Sequence, residues 1–569
     1  MLSILIIWFY IFLICLVFGW AAARFLAVLL KEGDGERLPF SLIIILGLGF
    51  VATIVGYLSL FLKIAFAANV IILLGALLLI GVYPRELLSF LKTGVRRLWS
   101  MDKYILGLLF LSSCFILFKS AAPTSAFDTG LYHAQAIRWI EEYPVIPGLG
   151  NLHGRLAFSS TWFLPYALFG FSFLKLGPFH VLNGFLLLIM VAFFLEGLNN
   201  LIKRRYYFSN ILRAAVLLPA IFVYKDQLSS PTPDIPVTLL ICAVFIYYLQ
   251  LQENAAAAPR RVLALSIVLL ATWAIIIKLS ALPLALLIVV LLGREIARGR
   301  PVNLAITTGA VLFLVLPFFL RNIWLSGYLL YPFPGLDLFN FDWKIPQAAV
   351  LDEKRAILEF ARDPGYLAPR GAVKGSFDWL PYWFSQLVTA YGTKLEKIFL
   401  PGLVICLDWL IQMVKMRTCK IDLQAISQNK AIYLTAGGGL LFLFFTAPDL
   451  RFGMGFFMVF MVIIFMPFLQ AYAYHVTRLF PWAISLLLLY FLAAFSAPDF
   501  PVMTQRLWWP APYPQEALVV QEFLWENVYF PQKDKALCWY APLPSAYYPA
   551  KFAFRGERIE DGFKPCNGP

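Results

Sequence analysis

The sequence predicts an all-α polytopic membrane protein with about fourteen transmembrane helices, since one span needs roughly 20 apolar residues. Of its 569 residues, 61% are hydrophobic and only 14% are charged, whereas soluble domains carry about 25% charged residues. The mean hydropathy is +0.78. Apolar runs alternate with short basic segments along the chain. The same composition excludes disordered, collagen-like and disulfide-rich secreted proteins.

The charge balance bears on orientation and partners. The chain has 46 Lys and Arg against 32 Asp and Glu, a net charge of +14. In a soluble protein this excess would suggest a nucleic acid partner. In a membrane protein, basic residues collect in cytoplasmic loops and fix the orientation. We therefore expect membrane lipid, and no nucleic acid, among the partners.

The apolar runs define the predicted spans. The first run, 2–30, is followed rather than preceded by its basic residues, which is the reverse of a secretory signal and predicts a true span with the N-terminus outside. Residues 162–176 are also apolar, but a span there would put the basic cluster 203–205 outside, so we predict no crossing. The predicted spans are 2–30, 39–62, 65–83, 104–119, 178–198, 211–224, 235–252, 262–277, 281–293, 303–320, 397–414, 431–446, 453–474 and 480–496.

These spans divide the chain into successive regions with both termini outside. Residues 120–176 and 321–396 are predicted to form long external loops, the first with helices lying at the interface. The regions are 1–103 with three extra N-terminal spans and a basic cytoplasmic loop, 104–396 with both long loops, 397–496 with four further spans, and the small external tail 497–569.

Cysteine use and motif content restrict the chemistry. Of the seven cysteines, only Cys538 and Cys566 fall in a predicted external segment, which predicts a disulfide between them in an oxidising compartment. The chain has no P-loop and no GxGxxG sequence, which argues against an ATP-driven pump.

The first external loop contains the leading candidate residues. Asp128 stands at the head of a predicted interfacial helix over 131–142, where a carboxylate can cap the helix or serve as a general base or metal ligand beside the membrane. His133 follows five residues later and can share a metal, orient the carboxylate or bind a phosphate. Tyr132 lies beside it in the sequence and is a candidate substrate-binding residue.

The other candidates are charged residues near predicted external turns. Asp234 follows two prolines that fix how it enters the next span, and it can be a helix cap or a functional carboxylate. The basic candidates can bind phosphate oxygens, although a lysine at such a turn can also merely snorkel to the interface. They are Arg138, Arg155, Lys225, Lys278, Arg321 and Arg451. The topology puts the candidates on one side of the membrane, which suits chemistry on an anionic lipid-linked substrate.

This layout resembles the GT-C superfamily of membrane glycosyltransferases. In that superfamily an acidic residue follows the first span of a seven-span module, a second acidic residue often lies in the next external turn, and a long loop follows the seventh span. Asp128, Asp234 and 321–396 match these features within 104–396. The chain also resembles an uncharacterised bacterial multi-spanning family in the stretches Asp128 to His133, 148–151, 321–322 and 538–562.

The resemblance implies a sugar transfer with inversion from a polyprenyl-phosphate-type donor to a glycan, lipid or protein acceptor. Asp128 would be the general base and Asp234 the second catalytic carboxylate, with cations such as Lys278, Arg321 or Arg451 on the leaving phosphate. The implied location is the bacterial inner membrane, with the active site on the periplasmic side. The chain lacks a WWD-type motif and a DxD or ExD at Asp128. Whether Asp128, His133 and Asp234 hold a divalent metal is therefore an open question.

Two other functions fit the span number. A lipid or glycan flippase, or another transporter, usually shows internal repeats and ionisable residues at mid-membrane, whereas here no repeat is evident and the candidates cluster at one interface. A polysaccharide polymerase or ligase also has a large external loop, and it would be expected to rely on arginines more than on Asp128. The two aspartates favour the transferase.

Overall fold

The computed structural model describes most of the chain, and the described part is predominantly α-helical. The described residues are 1–32, 38–253, 260–368, 373, 377–389, 429–477, 506–523, 526–532, 537–546 and 552–566. Two predicted spans, 397–414 and 480–496, lie outside them.

The helices follow the predicted apolar runs closely. They are α1 (Leu2–Leu29), α2 (Phe40–Leu58), α3 (Phe66–Val82), α4 (Pro84–Trp99), α5 (Lys103–Ser120), α6 (Ala134–Glu142), α7 (Leu149–Leu152), α8 (Phe163–Phe169), α9 (Leu182–Ile202), α10 (Phe208–Tyr224), α11 (Asp234–Glu253), α12 (Arg260–Ile277), α13 (Ala285–Ala297), α14 (Pro301–Ser326), α15 (Gln347–Arg362), α16 (Lys430–Thr446) and α17 (Leu450–Thr477). Every predicted span that falls on described residues coincides with one of them.

Eight helices in the described ranges are long and apolar enough to cross a membrane, so the chain is a polytopic helical membrane protein. They are α1, α2, α5, α9, α11, α12, α14 and the segment Leu279–Ala297. The pair α3 and α4 is bent by 95° and would raise the number to nine. The predicted spans 211–224 and 431–446 form the shorter apolar helices α10 and α16, and 453–474 lies within α17, whose segment Leu450–Met466 is apolar. The 17 residues of α10, for example, fall short of the roughly 20 that cross a bilayer upright.

The segment after α5 packs against the helix bundle. Residues 162–176 form only the seven-residue α8 and a short 3₁₀ turn, in agreement with the predicted absence of a span. The predicted interfacial helix forms as a π-helical turn, Thr129–His133, that runs into α6. Helix α8 packs against α2, α6 and α9. The first loop is thus folded onto the bundle, with Asp128 at the start of the π-helical turn.

Close helix contacts and a buried central helix hold the bundle together. Helices α1 and α2 meet at Gly19 and Gly47, where an added Cβ would lie 1.9 Å from the Ile43 carbonyl oxygen and 1.8 Å from the Cys15 carbonyl oxygen. Such small residues let backbones approach in membrane interfaces. Helix α11 is 94% buried and packs against α9, α10, α12 and α17. Asp234, its first residue, therefore lies among the ends of several helices.

The tail differs from the all-α prediction because it contains strands. Strand β1 (Leu518–Phe523) pairs antiparallel with β2 (Glu526–Pro531), and β3 (Phe552–Phe554) pairs antiparallel with β4 (Phe563–Pro565). The Met1 amino group donates to the Arg506 carbonyl oxygen over 2.6 Å. The Ala511 amide donates to the Ala121 carbonyl oxygen at the end of α5. The N-terminus, the tail and the Asp128 loop therefore share one end of the bundle.

Candidate functional site

Charged side chains from four helix ends meet at that end of the bundle. Asp128 follows α5, Asp234 opens α11, Lys278 follows α12, and Arg451 is the second residue of α17. The Pro231-Thr232-Pro233 segment turns the chain into α11, and the Asp234 amide donates to the Thr232 hydroxyl over 3.3 Å. A carboxylate at a helix N-terminus also meets the positive end of the helix dipole.

Arg451 is the centre of an ion-pair network formed by Asp128, Asp234, Lys278, Arg451 and Arg155. Its Nη1 lies 3.0 Å from Asp128 Oδ2, and its Nε lies 3.5 Å from Asp234 Oδ2. Lys278 Nζ forms an ion pair with Asp234 Oδ1, and Arg155 Nη1 lies 3.5 Å from Asp128 Oδ1. Each carboxylate is thus shared between two cations.

Aromatic rings line the cations of the network. Lys278 Nζ lies 3.9 Å from the centroid of the Phe452 ring. The Arg451 guanidinium lies 5.0 Å from the Phe452 centroid and 5.7 Å from that of Phe360. A cation over a ring face is stabilised by the ring quadrupole. These rings hold positive charge at the helix ends, where a substrate anion can meet it.

The two carboxylates differ in exposure. The Asp128 side chain is 23% exposed, whereas that of Asp234 is 4% exposed. Burial raises the pKa of Asp128, but the charges of Arg451 and Arg155 outweigh it and hold the pKa below its ordinary value. Asp128 is therefore ionised and partly accessible at neutral pH, the state that a general base requires.

His133 lies beside the network as a neutral group. Its ring is buried between Tyr132 and Phe163, at centroid distances of 4.3 Å and 5.5 Å. Burial lowers the pKa of His133 to about 4, so the imidazole carries no charge for a phosphate at pH 7. Across the described ranges, no group of three or more His, Cys, Asp or Glu side chains is arranged to hold a metal ion. The predicted set of Asp128, His133 and Asp234 is not such a group, because the two carboxylates face arginine and lysine instead.

Three predicted cations lie away from the network. Lys225 Nζ is 4.0 Å from Asp226 Oδ2 in an exposed turn. Arg138 Nε binds Glu142 Oε1 over 2.5 Å, and its Nη1 donates to the Tyr540 carbonyl oxygen in the tail. Arg321 is buried in α14, and its Nη1 donates to the Ser59 hydroxyl over 2.8 Å. Tyr132, by contrast, packs against the network, with its ring centroid 5.8 Å from the Arg155 guanidinium.

Glu353 is an acidic residue beside the network that the sequence analysis missed. Glu353 of α15 accepts from Arg155 Nε over 3.2 Å, and burial raises the pKa of Glu353 more than Arg155 lowers it. The two residues are 198 positions apart in the chain. No local pattern around Glu353 marks it, because α15 is an ordinary charged helix whose packing alone selects this side chain.

The tail docks directly behind Asp128. The Gly130 carbonyl oxygen accepts from the Cys538 amide over 2.9 Å and from the Trp539 amide over 2.8 Å. A Cβ on Gly130 would lie 2.9 Å from the Trp539 ring, so only glycine leaves room for this approach. Gln135 Nε2 also donates to the Trp539 and Ala541 carbonyl oxygens. The tail therefore fixes the π-helical turn that follows Asp128.

The predicted disulfide of the tail is not formed. Cys538 and Cys566 are both free thiols, the first buried and the second exposed. Cys538 is held by the backbone bond to Gly130, whereas Cys566 follows the separate hairpin of β3 and β4. The disulfide was predicted because both cysteines fall in the same predicted external segment. In the fold, the two residues belong to different parts of the tail.

Residues 1–458 match the family described as "Domain of unknown function (DUF8201)". The match covers most of the chain, so the chain belongs to this family. The matched range includes Asp128, Asp234, Lys278 and Arg451 and ends before the tail. No curated protein and no solved structure matches the chain.

Proposed function

We propose that this DUF8201 family member is a membrane glycosyltransferase that moves a sugar from a polyprenyl-phosphate-type donor to an acceptor outside the membrane. The observation that carries the proposal is the ion-pair network. It combines a partly exposed, ionised Asp128 with Lys278 and Arg451 at the ends of apolar helices and with Arg155 of the first loop. A sugar phosphate on an apolar chain needs these features together: a base, cations for the phosphate and a membrane-embedded approach.

In the proposed reaction, Asp128 accepts the proton of an acceptor hydroxyl while that oxygen attacks the anomeric carbon of the sugar. The bond between this carbon and the phosphate oxygen breaks, and its electron pair leaves with the phosphate. Attack from the face opposite the leaving group inverts the anomeric centre. Lys278 and Arg451 would stabilise the negative charge that develops on the phosphate.

Asp234 would have a different part in the reaction from Asp128. Its side chain is buried and bound by Lys278 and Arg451, so it would hold these two cations in position for the phosphate. Asp128 is the more accessible of the pair. The proposed acceptor is a glycan, lipid or protein of the bacterial envelope on the periplasmic face of the inner membrane.

The test is transfer by the purified, reconstituted full chain with a polyprenyl-phosphate sugar and a panel of envelope acceptors. Asp128→Asn should lower kcat by about 10²–10⁴-fold, the range for loss of a general base. The matched control is Asp226→Asn, in an exposed turn outside the network, where 67% of the side chain is exposed, and transfer should be unchanged. Full transfer by folded Asp128→Asn would refute the base assignment. Leaflet exchange of the intact lipid without transfer would support the flippase instead.

A further inference from the structure

A second cationic position lies at the same end of the bundle, in a cavity that the ion-pair network does not include. The cavity is small, about 20 Å³, and it is partly open to solvent. It lies between α6, the chain that follows α6, and the last turns of α14. Its apolar wall includes Ile140, Ile146, Leu149, Leu156, Phe163 and Leu325.

Arg321 is the charged group of this cavity. It is 6% exposed and donates to the Ser59 hydroxyl, which itself donates to the Gly56 carbonyl oxygen over 2.7 Å. Within the described ranges, no carboxylate lies within ion-pair distance of Arg321, unlike the cations of the network. A buried charge without a counterion is costly. Burial of Arg321 therefore calls for an anion that the described residues do not supply.

Two further donors face the same cavity. Ser159 and Trp139 line it, at 7% and 2% exposure. The Ser159 hydroxyl oxygen and the Trp139 indole nitrogen are buried without a hydrogen-bond partner in the described structure. Buried polar groups normally have partners. A guanidinium, a hydroxyl and an indole N–H together form a donor set for the oxygens of a phosphate or carboxylate.

We propose that this cavity, the Arg321 pocket, binds an anionic amphiphile: a molecule with an oxyanion group on an apolar chain. One oxygen of the oxyanion would enter the cavity and pair with Arg321, and the apolar chain would lie outside it, against the aliphatic and aromatic side chains at its open side. Arg321 lies five residues before the end of α14, about 8 Å along the axis at 1.5 Å per residue. That depth matches the headgroup region near the end of a membrane helix. Two sources share this chemistry, an anionic phospholipid of the bilayer and an isoprenoid monophosphate.

The experiment is native mass spectrometry of the delipidated full chain in detergent, titrated separately with four probes. They are phosphatidylglycerol, phosphatidylcholine with the same acyl chains, farnesyl monophosphate and inorganic phosphate. At least one anionic amphiphile should bind ten times more tightly than phosphatidylcholine, and Arg321→Gln should abolish that preference. The tighter of phosphatidylglycerol and farnesyl monophosphate identifies the source. Arg355→Gln, in an exposed ion pair on α15, is the control and should bind as the unaltered chain does.

Ser159→Asp keeps the proposal falsifiable if Arg321→Gln does not fold. It adds a carboxylate to the pocket that can satisfy Arg321, so the protein should fold but lose the preference for anionic amphiphiles. A preference that survives Ser159→Asp, equal binding of the two phospholipids, or binding of inorganic phosphate alone would overturn the proposal. The proposal would also be overturned if Lys278→Gln lost the preference for anionic amphiphiles and Arg321→Gln kept it. The oxyanion would then bind at the network and not in the pocket. The measurement needs no sugar transfer, so its outcome is independent of the proposed activity.

Discussion

The ion-pair network and the Arg321 pocket place positive charge at the same end of the bundle in opposite ways. In the network, Arg451 bridges Asp128 and Asp234. Arg155 forms a second ion pair with Asp128, and Lys278 forms a second ion pair with Asp234. In the pocket, the more deeply buried Arg321 donates a hydrogen bond to the Ser59 hydroxyl, and no described carboxylate forms an ion pair with it. The difference shows two solutions to the cost of charge near a membrane: internal pairing, and a site left for an external anion.

The largest expected change in stability comes from breaking the network at its bridge. Arg451→Gln leaves Asp128 and Asp234 with one cation each, and removal of one partner from a buried pair costs about 3–5 kcal/mol. The free energy of unfolding in detergent should fall accordingly. Arg355→Gln, whose ion pair with Asp352 is exposed, should change it by less than about 1 kcal/mol. Equal effects of the two variants would contradict the interpretation of the network as a buried unit.

The next effect is a pH dependence from His133. Burial lowers the pKa of His133 to about 4, so between pH 6.5 and pH 4 the unfolded state binds a proton that the folded state does not. Stability must therefore fall as the pH falls through this window. The pKa of Asp128 lies below its ordinary value, so the stability that this carboxylate contributes is lost as the pH falls through its folded pKa.

His133→Gln should remove about 3 kcal/mol of the pH dependence between pH 6.5 and pH 4, at 1.36 kcal/mol per pKa unit. The measurement is the difference in unfolding free energy between the unaltered chain and the variant across this range. The matched variant is His153→Gln, because burial also lowers the pKa of His153 to about 4. A difference that does not change with pH would show that His133 is protonated in the folded state.

The smallest effect separates the pocket from the network. Arg321→Gln removes one hydrogen bond and orphans no carboxylate of the described structure, so in delipidated protein it should cost only about 1 kcal/mol. In the presence of a bound anionic amphiphile, the unaltered chain should gain thermal stability that the variant does not. A loss in delipidated protein as large as that of Arg451→Gln would mean that Arg321 already has an internal counterion.

Much of the site could be predicted from the sequence. Positive-inside counting assigned Asp128, Asp234, Lys278 and Arg451 to one side, and these four are joined by ion pairs. The predicted topology is enough to group these four residues, because helix ends on one side of a compact bundle are close together. The same reasoning could not separate Arg321 or Arg138 from the network, since side chains at one depth can still face different cavities. The number of membrane crossings and the transfer of a sugar stay predictions.

The sequence by itself determined the helical membrane class and the helix positions, because apolar runs near the length of a span have few other stable structures in lipid. Only the tertiary structure decided which charges meet. It paired Arg155 with Glu353 across 198 residues, left Cys538 and Cys566 as free thiols, and set Cys538 and Trp539 of the tail behind Gly130. The physical reason is that pairing depends on where side chains point at the ends of packed helices, which neither hydropathy nor spacing encodes.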